Sequence, residues 1–301
     1  MTQNRRLSLT SENTMTEIEI HELFSFFRHP QRYFFTQTLG IRFDNHGVKA
    51  QEREPFAIDS LEGYSLYQDW LESHLQGEQF AVEKLQARGL WASGVVGELA
   101  FTRKQQEIAQ FAERIKAKKL GEPLDDLPID IKLGEYRLTG KLGSRYENGI
   151  LRYRYAALKG KDFMIALLHH LIAQQAYAQT THLLSTDKND DLVFQPDIVD
   201  AAQHLQAWLD IYQQGRQHPH SFFVEAAFEY AQQQRKLAQS SRASVSALDA
   251  AKKVLQHAFL QSYEPEFQLL GRYIQDVGDV LPPDFEQHCS ELLLPVWDAL
   301  R

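Results

Sequence analysis

Two stretches near the middle of the chain alternate apolar and polar residues with a period of two, and this pattern restricts the possible folds most strongly. In Tyr136–Leu142 and in Leu151–Ala157 one face is mostly apolar and the other is mostly charged or polar, as in strands of a half-buried sheet. The pair Asn148-Gly149 lies between them, which is the strongest short-range signal for a β-hairpin. A run with helical spacing follows at Asp162–Gln179, so the sequence predicts a hairpin followed by a helix.

The other patterns are mainly helical. Apolar spacing predicts helices at 20–27, 60–75, 97–119, 197–214 and in the last ten residues, where a proline at 295 should break the helix. His29-Pro30 is expected to end the first of these helices, and Thr181–Ser185 is a candidate strand. Loops or turns are predicted at 44–55, 125–128 and 240–246. The sequence thus predicts an α/β or α+β fold, mostly helical, with residues 1–16 as a flexible leader.

The composition is that of an ordinary globular protein and excludes several classes. The chain has 301 residues, of which 43% are hydrophobic and 24% are charged, unlike disordered or collagen-like chains. Cys289 is the single cysteine, so no internal disulfide and no four-cysteine metal site can form, and a reducing, cytoplasmic location is expected. There is no apolar run long enough to span a bilayer and no secretory signal, so no membrane partner is predicted.

Charge is distributed unevenly along the chain. The formal net charge is −8, yet Lys132–Lys161 carries eight basic and two acidic residues. One interpretation is a solvated face. The other is a surface that meets an anion, a phosphate or an acidic segment of a partner, because like charges that face each other across a sheet are unfavourable. The residues predicted to face such an anion are Lys141, Arg145, Arg152, Arg154, Lys159 and Lys161.

No motif of a self-sufficient hydrolase or of a nucleotide-driven motor is present. The sequence contains no Walker loop and no GxSxG, HExxH or CxxC motif. Among its 12 histidines, His29 and the pair His218-x-His220 are candidate metal ligands, but a lone histidine is more often structural. His169 and His170 lie on adjacent helix faces, so they cannot share one ion. No metal and no cofactor is therefore predicted.

Five sequence blocks occur in a fixed order along the chain. They are HELFSFFRHPQRYFFTQTLGIRF, EPFAIDSLEGYSLYQDWL, GLWASGVVGELAF, YRLTGKL followed by GILRYRYAALKGKD, and LLLPVWDAL. This series resembles the C-terminal domain of RecC, the gamma subunit of exodeoxyribonuclease V, over about residues 17–301. The resemblance implies a domain similar to the PD-(D/E)xK nucleases of the restriction-endonuclease type, and the predicted hairpin and following helix suit such a core.

Active nucleases of this type hold divalent cations with carboxylates and use a lysine to position water. They carry Gly-x-x-x-His on the first core helix, Gly-x-x-Asp on one strand and Asp-x-Lys on the next. The resemblance places Glu98 at the histidine, Gly143 at the first aspartate, and Arg152 and Arg154 at the second aspartate and the lysine. Arginines there would repel a metal, since two like charges about 4 Å apart cost on the order of 4 kcal/mol at an effective dielectric of about 20. Related domains with an iron–sulfur cluster have Cys-Pro where this chain has His29-Pro30, and one cysteine cannot hold such a cluster.

The resemblance therefore implies a degenerate nuclease-like domain at 17–301, not an enzyme in its own right. In that helicase–nuclease the gamma subunit holds the beta and delta subunits, RecB and RecD, together, helps split the duplex and channels its strands until a Chi sequence starts recombination. The implied partners are RecB, RecD, the rest of the gamma chain and DNA, with the six basic residues above as DNA contacts. A partner interface is expected to expose aromatics near Phe222-Phe223 or within Tyr263–Tyr273.

Two alternatives remain open at the level of the sequence. The first is an active divalent-metal-dependent DNA nuclease with a displaced site that recruits Glu98, Glu147 and Asp162. The second is a stand-alone DNA-binding protein, which the net charge disfavours unless the basic patch is isolated and exposed.

Overall fold

The computed structural model describes residues 15–43, 60–78, 80–87, 89–187, 191–196, 198–219, 222–239, 245–261, 264–271, 281, 285–297 and 300. The predicted loop at 44–55, most of the predicted leader and most of the break at 240–246 lie outside these residues. The helices are α1 (Ile20–Arg28), α2 (Pro30–Tyr33), a π-helix (Phe34–Thr38), α3 (Ser60–Leu75), α4 (Val82–Ala87), α5 (Gly94–Lys116), α6 (Gly160–Ala176), α7 (Ala201–Gln217), α8 (Val224–Gln239), α9 (Ala247–Gln261), α10 (Pro265–Gly271), α11 (Phe285–Leu292) and α12 (Leu294–Trp297). The strands are β1 (Thr16–Glu19), β2 (Leu127–Leu133), β3 (Tyr136–Leu142), β4 (Arg145–Tyr146), β5 (Gly149–Arg154), β6 (Thr181–Ser185) and β7 (Leu192–Phe194).

The strands form two small sheets. The first has the order β1-β3-β2, with β1 parallel and β2 antiparallel to β3. The second has the order β4-β5-β6-β7, with β5 parallel to β6 and the outer strands antiparallel to their neighbours. The α/β class and the helical majority are confirmed.

The predicted pairing of the two alternating stretches is wrong. The turn at Asn148-Gly149 joins β5 to the two-residue strand β4, with Tyr146 opposite Gly149, whereas β3 forms a hairpin with β2. Ser144 has a left-handed φ of 61°, which ends the extended path of β3 and directs the chain into the second sheet. β2 falls partly in the predicted turn at 125–128, although its residues also alternate with a period of two.

Strand β5 separates two hydrophobic cores. Ile150 belongs to the first core, which surrounds α6 and includes α1, α7 and α8. Leu151 and Tyr155 belong to the second, which is built with α3 and α5. Because successive residues of a strand point to opposite faces, Arg152 and Arg154 share the face of Ile150. This confirms the predicted alternation within the strand.

Several predicted element boundaries agree with the structure. His29-Pro30 ends α1 at Arg28 and starts α2 at Pro30, and β6 has the predicted bounds. The tail is interrupted between α11 and α12, next to the proline at 295. None of the described helices combines the length and the apolar character that a membrane span requires.

The expected exposed aromatics are not found at Phe222 and Phe223. Both rings are buried in the first core, where Phe222 packs against Phe27 and Trp208. The ends of the second candidate segment, at 263 and 273, lie outside the described residues. Among the described residues, exposed apolar side chains lie close together in sequence at two places: Leu39 and Ile41, which are 52% and 39% exposed, and Val95, Val96 and Leu99 at the start of α5, which are 71%, 71% and 66% exposed.

Candidate nucleic-acid interface

A cleft of about 1040 Å³ opens beside the exposed end of β5. Its walls come from the end of α1, from α2 and the π-helix, from the start of α6, and from α8, α9 and α10. It is lined by six cationic side chains and four carboxylates: Arg28, Arg32, Arg152, Arg154, Lys159 and Lys161, and Asp162, Glu225, Glu229 and Glu264. The fold thus gathers basic residues from two distant parts of the sequence in one concave surface.

Arg154 is neutralised by the chain itself. Its guanidinium donates a hydrogen bond to Asp162 in the first turn of α6 and forms an ion pair with it. The same carboxylate accepts the backbone N–H of Lys159 at 3.1 Å, which caps the helix. For Arg154, the interpretation as an intramolecular ion pair is therefore the one that the geometry favours.

Arg152 is in a different situation. It is half-buried, and within the described residues it has neither an ion pair nor a hydrogen bond. Burial and the positive charge of Arg28 lower its pKa to about 10, although Asp162 opposes this shift. Arg152 also lowers the pKa of the buried His169 beside it, an effect smaller than that of burial. The cleft therefore contains a desolvated cation next to a second one.

The backbone N–H groups at the N-terminus of α6 lie at the same cleft and bind a carboxylate there. Glu225, in the first turn of α8, accepts the backbone N–H of Gly160 at 2.7 Å and that of Lys161 at 3.1 Å. The first N–H groups of a helix have no partner within the helix, and together with the helix dipole they favour a negative charge such as that of Glu225. Burial lowers the pKa of the Lys161 ammonium, and the charges of Arg154 and Lys159 add to this effect.

Two of the six predicted phosphate contacts do not line the cleft. Lys141 is exposed on β3, in the other sheet, so the expectation that it faces the same side as Arg152 is wrong. Arg145 donates to the carbonyl oxygen of Asp125 at 3.0 Å and stacks on the ring of Tyr177. Arg28 and Arg32 line the cleft although no sequence pattern predicted them there.

The residues at the nuclease-motif positions do not form a carboxylate site. Glu98 is exposed on α5, and Glu147 is exposed at the turn before β5. Gly143 follows β3 directly, and its carbonyl oxygen accepts a hydrogen bond from His169 Nε2 at 3.0 Å. Neither Glu98 nor Glu147 lines the cleft that holds Asp162. The displaced site of the alternative hypothesis is thus not assembled by these three acids.

His29, Glu264 and Glu266 are, within the described ranges, the one group of at least three potential metal ligands. His29 Nε2 lies 3.1 Å from Glu264 Oε2 and 2.9 Å from Glu266 Oε1, and Arg32 Nη2 lies 2.7 Å from the same Glu266 oxygen. His29 Nδ1 accepts the backbone N–H of Arg32 at 3.2 Å, whereas a histidine that binds metal through Nε2 normally donates from Nδ1. Arg32 already supplies positive charge, so the group is best described as an ion-pair network that ties α2 to α10.

His169 and His170 do not face a common site. His169 and His170 point to different partners, Gly143 and Thr181, as their adjacent positions predict. His220 lies outside the described residues.

Comparison with known proteins identifies the family. A family profile described as the RecC C-terminal domain matches residues 15–235, more than two thirds of the chain. The chain belongs to the RecC C-terminal domain family. The match confirms the resemblance drawn from the sequence blocks.

Curated relatives of this RecC C-terminal domain include two from different bacteria. The RecBCD enzyme subunit RecC of Escherichia coli (strain K12) is 27% identical over 207 residues, which is 67% of this chain and 18% of the relative. The RecBCD enzyme subunit RecC of Buchnera aphidicola subsp. Schizaphis graminum is 28% identical over 166 residues, 53% of this chain and 15% of the relative. The chain spans less than one fifth of the length of these relatives.

The residues that line the cleft lie partly inside and partly outside the range of the family match. Arg28, Arg152, Lys161 and Glu225 lie inside the matched residues 15–235, whereas α9, Glu264 and α10 lie beyond them. The cationic part of the cleft is therefore built entirely within the RecC C-terminal domain.

Proposed function

We propose that the chain is a non-catalytic scaffold and DNA-guiding domain of a RecBCD-type helicase–nuclease, acting in double-strand-break repair and homologous recombination. Its partners are then RecB, RecD, the rest of the gamma chain and DNA, in the cytoplasm. Its tasks are subunit assembly, strand separation and channelling, and a contribution to the response to Chi. One observation carries the DNA-guiding part: six cationic side chains outnumber four carboxylates in one cleft of a chain whose net charge is −8.

The same proposal includes a restriction-endonuclease-like (PD-(D/E)xK) core with added helices. The elements α5, β3, β5 and α6 occur in this order along the chain, with β2 and β4 between them and with β3 and β5 in different sheets. This is the order in which the motif positions of such a nuclease occur. Glu98 lies on the first of these elements, Gly143 follows the second and Arg152 lies on the third. A glycine and an arginine at positions that need carboxylates favour a domain without metal-dependent cleavage.

We expect the purified 301-residue chain to leave linear DNA intact in the presence of Mg²⁺ or Mn²⁺, at the level of a buffer control. Gel analysis of an end-labelled duplex and of a single strand measures this directly. A Glu98→Ala variant serves as the control, because Glu98 is the one acid at a motif position. Divalent-dependent cleavage that persists through repurification and disappears in Glu98→Ala would establish an active nuclease and refute the proposal.

The scaffold part of the proposal is supported by the apolar start of α5. Val95, Val96 and Leu99 expose about two thirds or more of their side chains, in a helix whose opposite side is fixed by a hydrogen bond from Trp91 Nε1 to the Gly97 carbonyl oxygen at 2.8 Å. Apolar residues exposed together commonly mark a contact with another protein.

We therefore expect the double substitution Val95→Glu and Leu99→Glu to weaken assembly with the remaining subunits at least tenfold, because each change places a charge in an apolar contact. Co-purification of the reconstituted complex at graded concentrations measures the loss. Val199→Glu is the matched control, since Val199 is 78% exposed and lies away from α5 in sequence. If the double variant and Val199→Glu assemble equally well, the start of α5 is not the contact with the remaining subunits.

A further inference from the structure

We propose that Arg28 and Arg152 together form a seat for a single phosphate group, and that the chain's own carboxylates already occupy Arg32, Arg154 and the N-terminus of α6. This inference rests on the proposed function, because it concerns the same cleft. It differs from a continuous basic track, in which each cationic side chain would contact its own phosphate.

Carboxylates of the chain already bind two of the neighbouring arginines and the N-terminus of α6. Asp162 neutralises Arg154, and Glu225 occupies the backbone N–H groups at the start of α6. Glu266, which is fully buried, pairs with Arg32 at the other side of the cleft. An incoming phosphate would have to displace a carboxylate from each of these positions.

Of the four other cationic side chains of the cleft, Lys159 and Lys161 lie at the start of α6, and Arg28 and Arg152 are the two arginines. Arg28 is exposed at the end of α1, and Arg152 is half-buried on β5; neither has an ion pair or hydrogen bond within the described part of the chain. Both side chains line the same cleft, where burial and the charge of Arg28 lower the pKa of Arg152 while Asp162 opposes this shift. Two like charges in a partly desolvated cleft are unfavourable until an anion joins them.

A phosphate group is the ligand that suits a pair of arginines. Arginine guanidinium groups bind phosphate oxygens with paired, charge-assisted hydrogen bonds. A tetrahedral dianion or a backbone phosphodiester has enough acceptor oxygens to bind two such groups, and its negative charge would offset their repulsion. The phosphate can belong to a DNA backbone or to a free phosphate-bearing molecule, and the experiment below separates these sources.

The test measures DNA affinity of the full chain by fluorescence anisotropy between about 50 and 200 mM salt. The variants are Arg28→Gln, Arg152→Gln and the double variant, with Lys141→Gln as a matched control that removes one exposed charge outside the cleft. We expect each single variant to lose affinity several-fold with little change in salt slope, because the other arginine still holds the phosphate. The double variant should lower the log–log slope by one contact, about 0.9 for duplex or about 0.7 for single-stranded DNA. A decrease of two contacts would overturn the shared seat.

A second measurement uses inorganic phosphate as the probe. We expect phosphate to raise the melting temperature of the chain relative to chloride at equal ionic strength, and the double variant to lose this rise. Without ligand, Arg152→Gln should melt no lower than the parent chain, whereas Arg154→Gln should melt lower because Asp162 loses its partner. An Arg152→Gln variant that melts well below the parent would give Arg152 a structural role and overturn the seat.

The outcomes separate the two proposals. DNA binding that is equal in the double variant and in Lys141→Gln overturns the seat and leaves the DNA-guiding function standing. Phosphate stabilisation that depends on both arginines, without DNA binding, upholds the seat and refutes DNA guiding. Absence of both DNA binding and phosphate stabilisation refutes both.

Discussion

Replacement of Gly160 by alanine is expected to lower the free energy of unfolding by about 1–3 kcal/mol, the usual range for overpacking a core. A Cβ atom at this position would lie 2.8 Å from Phe228 Cβ, 2.9 Å from Glu225 Oε2 and 3.0 Å from the Val224 carbonyl oxygen. Gly160 begins α6, and all three neighbours lie in the first turns of α8. A backbone oxygen cannot rotate away as a side chain does, so the two helices must separate. The helical preference of alanine over glycine, about 0.5–1 kcal/mol, is too small to compensate.

Urea denaturation of the purified variant measures this loss, and Gly271→Ala is the matched control. Gly271 also lies in a helix, α10, but its Cβ would meet only Phe259 Cδ1, at the ordinary contact distance of 3.4 Å. The control should therefore be neutral or slightly stabilising. Equal midpoints for the two variants would show that α6 and α8 tolerate a wider separation than the structure indicates.

The local elements of the fold were largely predictable from sequence, while their pairing was not. The alternation in Tyr136–Leu142 gives the bounds of β3, and His29-Pro30 gives the break between α1 and α2. The hairpin was misassigned because Asn148-Gly149 specifies a tight turn but not the length of the strand before it. The chain leaves β3 and enters the second sheet at Ser144, which has a left-handed backbone conformation. A serine rarely adopts this conformation, and no local sequence pattern predicts it.

The candidate site was predictable only where its residues share one element. Arg152 and Arg154 lie two apart on β5, so the sequence places them on one face, and the structure confirms it. Arg28 lies more than 100 residues earlier at the end of α1, in a block dominated by aromatic residues. Its approach to β5 depends on how α1 packs against α6, which is a tertiary feature. Asp162, which pairs with Arg154, and Glu225, which binds the N-terminus of α6, come from two further helices.

Two buried histidines beneath the cleft make the fold sensitive to acid. His169 and His170 in α6 are 2% and 0% exposed. His169 Nε2–H donates to the Gly143 carbonyl oxygen at 3.0 Å, and His170 Nε2–H donates to that of Gln195 at 3.0 Å while Nδ1 lies 2.8 Å from the Thr181 hydroxyl. These contacts suit neutral rings. Burial lowers the pKa of His169 to about 3, with Arg152 adding to the effect, and lowers that of His170 to about 4.

We expect the free energy of unfolding to fall as the pH decreases from about 6.5 towards 4. The unfolded chain takes up a proton on each histidine near pH 6.5, whereas the folded chain does not, so acid favours unfolding. Each histidine contributes up to about 1.4 kcal/mol per pH unit, or about 4 kcal/mol for both between pH 7.5 and 5. Urea denaturation across this range should show that His170→Gln removes about half of the fall, whatever its stability at pH 7.5. His257→Gln, at an exposed position of α9, is the control and should leave the fall unchanged. Groups that titrate elsewhere contribute equally to both variants and cancel in the comparison. A fall of the same size in His170→Gln and in the parent chain would show that His170 is already charged in the folded state.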